Sequence, residues 1–319
     1  MVSELSGPGR RSSDPPQRPV LFVNPRSGGG TAARAEVAER ARDRGIETVI
    51  FAPGQSLEAL AREAVANGAD ALGVAGGDGS LAVVAAAAAT HGLPFVCVPA
   101  GTRNHFARDL GVDPHDVLGA LDAFTGGIER LIDVADVNGR LFLNNVSLGI
   151  YGDAVRSPGY RDAKMRTLLE TAEKVLGPGA EVPALRLVDE MGREHQHLAV
   201  VLVSNNPYTL DRPLTPGARP ALDSGRLGII VLDAPSAAPH PPRAGPHTPG
   251  RAWSAPRLDV SALPPVHAGI DGEAIDLSPP LQFTIRPRAL RVRISPRHQG
   301  RPPSAPLSPP RQTRPLPEG

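Results

Sequence analysis

Three apolar runs that each end in a glycine-bearing loop constrain this chain more than any other feature. Pro19-Val20-Leu21-Phe22-Val23 leads into Asn24-Pro25-Arg26-Ser27-Gly28-Gly29-Gly30. Ala71-Leu72-Gly73-Val74-Ala75 leads into Gly76-Gly77-Asp78-Gly79-Ser80, and Pro94-Phe95-Val96-Cys97-Val98 into Pro99-Ala100-Gly101-Thr102-Arg103-Asn104. The runs read as strands. Between them, residues 31–44 and 57–66 carry apolar side chains at helical spacing, with a short buried strand at Val49-Ile50-Phe51. Residues 81–89 read as a helix opened by Ser80, a good N-cap. This alternation predicts an α/β fold with a parallel sheet and helices on both faces. The loops at the carboxyl ends of such strands line one edge, where ligands bind. Glycine there lets backbone N–H groups approach an anion, and the helix that follows adds its positive end. The edge reads as a nucleotide-phosphate cradle.

After Gly127 the texture changes. Residues 132–137 and 140–146 are strand-like and are joined by Asn138-Gly139, the strongest short hairpin signal. Further runs cover residues 185–188, 198–203, 227–232, 281–285 and 290–294, and one helix is predicted over 163–176. The expectation is a nucleotide-binding domain over 19–130 and a mainly antiparallel second domain over 131–297, built as two packed sheets. Residues 234–256 are dense in proline without periodicity and read as an exposed loop. Residues 1–18 and 298–319 read as disordered tails.

Composition closes several routes. A formal charge of +1 across 319 residues, with pI near 8.1, argues against a nucleic-acid binder. Only Lys164 and Lys174 among the 34 basic residues are lysines, and no Gly-x-x-x-x-Gly-Lys-Ser/Thr element exists. A P-loop is therefore excluded, and phosphate charge falls to backbone N–H groups, arginine or a metal. The single cysteine, Cys97, lies in an apolar strand and reads as a small core residue. The first eighteen residues lack the apolar stretch of a signal peptide. The longest apolar runs are too short to cross a bilayer, so the expectation is a cytoplasmic protein that is not transmembrane.

Gly28-Gly29-Gly30-Thr31-Ala32-Ala33 formally matches a dinucleotide fingerprint. The next strand, however, ends Phe51-Ala52-Pro53, with no acid to hold a ribose hydroxyl. Gly76-Gly77-Asp78-Gly79-Ser80 says more. A strand-to-helix turn in which Asp78 only accepts backbone hydrogen bonds would explain part of it. Glycines on both sides of the acid exceed what a turn requires and suit a carboxylate facing a phosphate-bound Mg²⁺.

The ordered series Asn-Pro-x-Ser-Gly, Gly-Gly-Asp-Gly-Ser and Gly-Thr-x-Asn-x-Phe-Ala resembles the diacylglycerol kinase catalytic-domain family, which includes bacterial lipid kinases and the sphingosine and ceramide kinases. The resemblance runs over most of residues 19–295 and takes in Asn144-Asn145-Val146-Ser147-Leu148-Gly149 and Gly269-Ile270-Asp271-Gly272-Glu273. It implies an α/β nucleotide-binding domain resembling those of NAD kinases and phosphofructokinases, a β-sandwich second domain, and an ATP site in the cleft between them. It further implies that Asn24 and Ser27 contact the nucleotide and that Gly76, Gly77, Asp78, Gly79 and Ser80 surround the phosphates. Asp78 would lie near Mg²⁺, Thr102 and Asn104 would complete the site, and Asp271 would be the general base, with Glu273 as helper or alternative. Without the resemblance, Asp271-Gly272 reads as an ordinary hairpin turn.

The chain departs from the family in three places. His105 stands where relatives commonly have Asp, which removes a fixed negative charge. Asp223-Ser224-Gly225 replaces a two-acid segment that in relatives binds a structural metal. The proline-rich stretch replaces a region expected to be ordered. Elsewhere, His195 and His197 alternate along a strand and read as a solvated edge. Arg156, Arg161, Lys164 and Arg166 read equally as surface charge or as a contact for an anionic membrane. The expectation that follows is an ATP- and Mg²⁺-dependent kinase acting on a hydroxyl of a membrane-derived lipid such as diacylglycerol, peripheral at the membrane and compatible with a homodimer. A sphingoid base, another glycerolipid or a polyprenol is the alternative acceptor, and a nucleotide-binding protein without kinase activity is the alternative class.

Overall fold

The computed structural model describes residues 10–24, 30–149, 185–209, 218–233 and 250–300. Strand β1 (Arg10–Ser12) comes first, followed by β2 (Pro19–Val23), helix α1 (Gly30–Arg42), β3 (Glu47–Ile50), α2 (Leu57–Ala66), β4 (Ala71–Gly76), α3 (Asp78–His91) and β5 (Pro94–Pro99). Strands β3, β2, β4 and β5 lie side by side in that order, all parallel. Every residue of β2, β4 and β5 is buried, which is why these strands read as continuous apolar runs and not as alternating ones. Ser56 caps α2 by accepting the Ala59 N–H at 3.2 Å. Helix α3 ends at Gly92, whose φ of 63° is a conformation most side chains resist.

One boundary differs from expectation in a way that matters. Helix α3 begins at Asp78, with Gly77 as its extended N-cap and no side-chain cap. Ser80 is therefore not the cap; it sits in the first turn. The unpaired N–H groups that open every α-helix belong here to the Asp78-Gly79-Ser80 segment itself.

Short helices α4 (His105–Leu110) and α5 (Ala123–Gly126) lead into the antiparallel half. It comprises β6 (Ile128–Val137), β7 (Arg140–Phe142), β8 (Asn145–Gly149), β9 (Leu185–Val188), β10 (Glu194–Asn205), β11 (Leu227–Asp233), β12 (Gly250–Ala255), β13 (Arg257–Ser261), β14 (Val266–Ile270), β15 (Glu273–Leu277) and β16 (Leu281–Ile294). Asn138 and Gly139, with φ of 50° and 81°, make the expected two-residue hairpin between β6 and β7.

Two core clusters form, one under the parallel strands and one within the antiparallel half. The pair β6 and β16 serves both. On its even-numbered face Ile132, Val134, Leu290, Val292 and Ile294 join the first core; on its odd-numbered face Ala135, Val137, Leu281, Phe283 and Ile285 join the second. The two-residue side-chain period of a strand makes this division possible. Residues Arg291–Arg293 of β16 also pair in parallel with Pro94–Val96 of β5. Through these pairings all sixteen strands among the described residues are linked by hydrogen bonds, and the antiparallel half encloses a core of its own.

Three other local expectations change. Residues 250–255, read as part of the proline-rich loop, form β12 and pair with β11. Residues 10–12, read as tail, pair with β6. Gly300 donates its N–H to the Gly111 carbonyl at 3.2 Å, so the last described residues are held as well. The predicted helix over 163–176 and its basic cluster lie outside the described residues. Among the described residues, no helix is long and apolar enough to cross a membrane.

Candidate active site

The carboxyl ends of β4 and β5 bring the second and third glycine loops into backbone contact. A Cβ placed on Gly101 would lie 2.5 Å from the Gly77 Cα and 2.9 Å from Asn104 Oδ1. Gly101 is therefore required for the close approach. Gly77 is less constrained: its φ is −89°, and a Cβ there would meet the Gly101 Cα at an ordinary 3.6 Å.

Asp78 bridges these loops. Its Oδ1 accepts the Phe106 N–H at 3.1 Å and its Oδ2 the His105 N–H at 3.3 Å, so the carboxylate caps the first turn of α4. Asp78 does accept backbone hydrogen bonds, but from the amides that open α4 and not from those of its own loop. Two acceptor bonds leave lone pairs on both oxygens. Asn24 donates from Nδ2 to Ser80 Oγ at 2.6 Å, tying the first loop to the second. Asn104, with φ of 53°, turns its side chain into its own loop, accepting the Gly101 N–H and donating to the Gly101 carbonyl, each at 2.9 Å. Thr102 and the His105 side chain are exposed. Ser27 lies outside the described residues.

The late Asp-Gly-Glu arrives from the other half of the molecule. Asp271 and Gly272, with φ of 48° and 87°, form the hairpin turn joining β14 to β15, as the turn-only view of this dipeptide requires. The turn also carries a buried acid. Asp271 Oδ2 accepts the Leu143 N–H at 2.8 Å, and Oδ1 accepts those of Asn144 and Asn145 at 2.7 and 3.1 Å. This explains a break in the expected strand over 140–146. The amides of residues 143–145 are aimed at Asp271, so β7 stops at Phe142 and β8 starts at Asn145.

Burial pushes the Asp271 carboxyl up to about 7, against the pull of these three amides, and the Asp78 charge adds to the rise. Glu273, two residues on, is exposed. Its carboxylate lies over Gly79, where any side chain would collide with it. A carboxylate is favoured there by the positive end of α3. Asp78, Asp271 and Glu273 thus gather around the start of α3, drawn from both halves of the chain.

A family model described as the diacylglycerol kinase catalytic domain matches residues 18–137. Over those residues the chain is similar to that domain. A protein named diacylglycerol kinase from Bacillus subtilis (strain 168) is 36% identical over 134 residues, which cover 40% of this chain and 44% of that protein. The Pseudomonas aeruginosa protein named "Probable lipid kinase YegS-like" is 29% identical over 307 residues, covering 86% of this chain and 93% of its own length. A crystal structure of a diacylglycerol kinase from Bacillus anthracis str. Sterne superposes with a TM-score of 0.62 at 18% identity, over 89% of this chain and 98% of that one. That similarity shows the fold. The catalytic-domain match ends at Val137, so the buried acid at Asp271 lies beyond it.

Several residues around this candidate site are not apparent from sequence. Arg219 is fully buried and paired with Asp109 at 2.7 Å. Asp133, also fully buried, accepts the N–H groups of Gly225 at 2.7 Å and Arg288 at 2.9 Å. Tyr208 accepts from Asn145 Nδ2 at 2.9 Å. A charged residue flanked by apolar ones, such as Asp133 in Leu131-Ile132-Asp133-Val134, is the only sequence signal among them. In the segment Asp223-Ser224-Gly225, Ser224 donates N–H and Oγ–H to Asn206 Oδ1 at 2.8 and 2.6 Å. His195 is a correction. It is buried, 3.0 Å from Asp189 Oδ2, and stacked on Trp253 at 5.1 Å between ring centroids, whereas a solvated edge was expected. His197 is exposed, as that expectation has it.

Proposed function

We propose that this protein is an ATP- and Mg²⁺-dependent lipid kinase that phosphorylates a hydroxyl of a membrane-derived lipid of the diacylglycerol type. The observation that carries the proposal is the buried Asp271 carboxylate, delivered by the antiparallel half to the start of α3, with a proton affinity suited to general-base work near neutral pH. Phosphoryl transfer needs alignment, charge neutralisation and a group to take the acceptor proton, with little covalent chemistry.

The residues fit both absent groups. The first-turn amides of α3, lined by Gly76, Gly77 and Gly79, suit phosphate oxygens, and Asn24 and Ser80 hold the first two loops together beside them. No three His, Cys, Asp or Glu side chains among the described residues form a metal cage. A magnesium ion held by Asp78 and substrate phosphates does not need one. Bound there, it would neutralise charge on the transferred phosphoryl group. In the reaction the acceptor oxygen bonds to the γ-phosphorus, the bond from that phosphorus to the ADP oxygen breaks, and Asp271 takes the hydroxyl proton. Glu273 is more exposed than Asp271 and serves as its helper. Thr102 and Asn104 shape the third loop, Asn104 through its grip on Gly101.

The reading is tested by incubating the protein with labelled ATP, Mg²⁺ and total membrane lipid and identifying any phosphorylated lipid by mass. A phosphorylated glycerolipid is expected; ATP binding without lipid phosphorylation would favour a binding module instead.

Two predictions arise here. Because Asp271 must be ionised to accept a proton, and its carboxyl lies near 7 in the free protein, kcat/KM should rise with pH through about 7 and level off above it. A pH–rate profile flat from 5 to about 9 would contradict the assignment. Gly101→Ala should abolish thermal stabilisation by ATP in a folded protein, because its Cβ forces the two loops apart. Gly77→Ala should retain that stabilisation, and equal loss in both variants would contradict the loop geometry.

A further inference from the structure

Arg219 does more than neutralise Asp109. Its Nε donates to Asp109 Oδ2 at 2.7 Å, Nη1 to the carbonyls of Leu143 and Asn205 at 2.5 and 2.8 Å, and Nη2 to Asn144 Oδ1 at 2.8 Å. Its guanidinium carbon lies 5.9 Å from the centre of the Tyr208 ring. A charged group with no solvent exposure needs partners of this quality. The identity of those partners is what matters. Leu143 and Asn144 are two of the three residues whose amides grip Asp271. Asp109 belongs to α4, whose first-turn amides are held by Asp78. One side chain therefore joins the turn that aims the late acid to the helix that the early acid caps.

We propose that Arg219, anchored by Asp109, is a positioning residue for phosphoryl transfer: it fixes the 143–145 turn so that Asp271 is presented to the acceptor hydroxyl, and it locks that turn to α4. The proposal rests on the reading of Asp271 as general base. The charged or titratable groups that act on Asp271 are Asp78 at the start of α3, Arg219 with Asp109 behind it, and Tyr208 after β10; Glu273, two residues on, is exposed. Arg219 supplies positive charge in this otherwise acidic set. Loss of the guanidinium removes that charge and frees two anchors of the turn. Both effects disfavour the ionised carboxylate and its alignment, while the glycine loops at the nucleotide end are untouched.

The test uses Arg219→Lys, which keeps the charge but not the fork of donors, and the double variant Arg219→Met/Asp109→Leu, which leaves no unpaired charge buried. The titration of the Asp271 carboxyl is followed by carbon-13 NMR without ligands. In parallel, kcat, KM for ATP and the pH profile are measured with a diacylglycerol acceptor. In the double variant the Asp271 midpoint should move up by about half a pH unit or more, and the acid limb of the kcat/KM profile should move with it. Its kcat should fall by about 10- to 100-fold while KM for ATP stays within about threefold. Arg219→Lys should keep the midpoint near that of wild type yet lose part of kcat. If the double variant does not fold, the Lys variant decides alone, and unchanged kcat there overturns the proposal. Wild-type turnover and midpoint in the Arg219 variants of an enzyme that Asp271→Asn silences would sink this inference only. Full turnover by Asp271→Asn would sink the base assignment and this inference with it.

Discussion

Asp78→Asn should lower kcat by about 10² to 10³ and abolish the normal response of rate to Mg²⁺, with the fold retained. The substitution preserves size and leaves one side-chain oxygen able to accept an N–H from α4. It should therefore cost about 1 kcal/mol or less of stability, the range for weakening a helix cap. What it removes is the formal charge at the junction of the second and third loops, where the proposed ion would balance the phosphates. The two consequences separate cleanly. Circular dichroism and thermal melting report the cap, and a magnesium titration of the initial rate reports the charge. Near-normal turnover with an unchanged magnesium dependence would remove Asp78 from the site.

Asp271→Asn is expected to have the second large effect, a fall in kcat of about 10² to 10⁴ with ATP affinity nearly unchanged. The amide cannot take the acceptor proton. It also presents an NH₂ group where Asp271 now presents an oxygen to a backbone N–H, so a buried donor loses its acceptor at a cost of about 1–3 kcal/mol. The variant is therefore judged by the split between kcat and ATP affinity, measured calorimetrically on protein shown to be folded. Glu273→Gln should have a smaller effect, because Glu273 is exposed, whereas Asp271 is buried and aimed by three backbone amides. A larger loss in Glu273→Gln than in Asp271→Asn would reverse the order of the two acids.

Much of the parallel half could be read directly from the chain. Strands β2, β4 and β5 are buried along their whole length, so apolar runs leading into glycine loops mark them, and those loops are where an α/β sheet binds its ligand. Strand β3 is partly exposed along its length, where a buried strand was expected. The start of α3 was misplaced because Asp78 and Gly79 look like loop residues. Only the structure shows that Gly77 caps the helix and that Gly101, not Gly77, is the glycine the loop contact requires. The antiparallel half was harder for a different reason. Strand β12 is preceded by a proline-dense stretch and followed by Pro256, which hides it. The alternation along β6 and β16 was visible as strand, but not that their two faces serve different cores.

The candidate site divides in the same way. Asp78 and its glycines stand next to one another in sequence. Asp271, by contrast, owes its environment to Leu143, Asn144 and Asn145, which lie 128, 127 and 126 residues away. Arg219 and Asp109 are 110 residues apart. Contacts of that range are set by packing, and no local pattern announces them.

The most direct test of the account is transfer of label from γ-labelled ATP to diacylglycerol in mixed micelles, run side by side with wild type and Asp271→Asn. The account predicts labelled phosphatidic acid from wild type and almost none from the variant, with both proteins binding ATP equally well. Equal labelling by the two proteins, or ATP binding by wild type with no label in diacylglycerol or any other lipid hydroxyl acceptor, would contradict it.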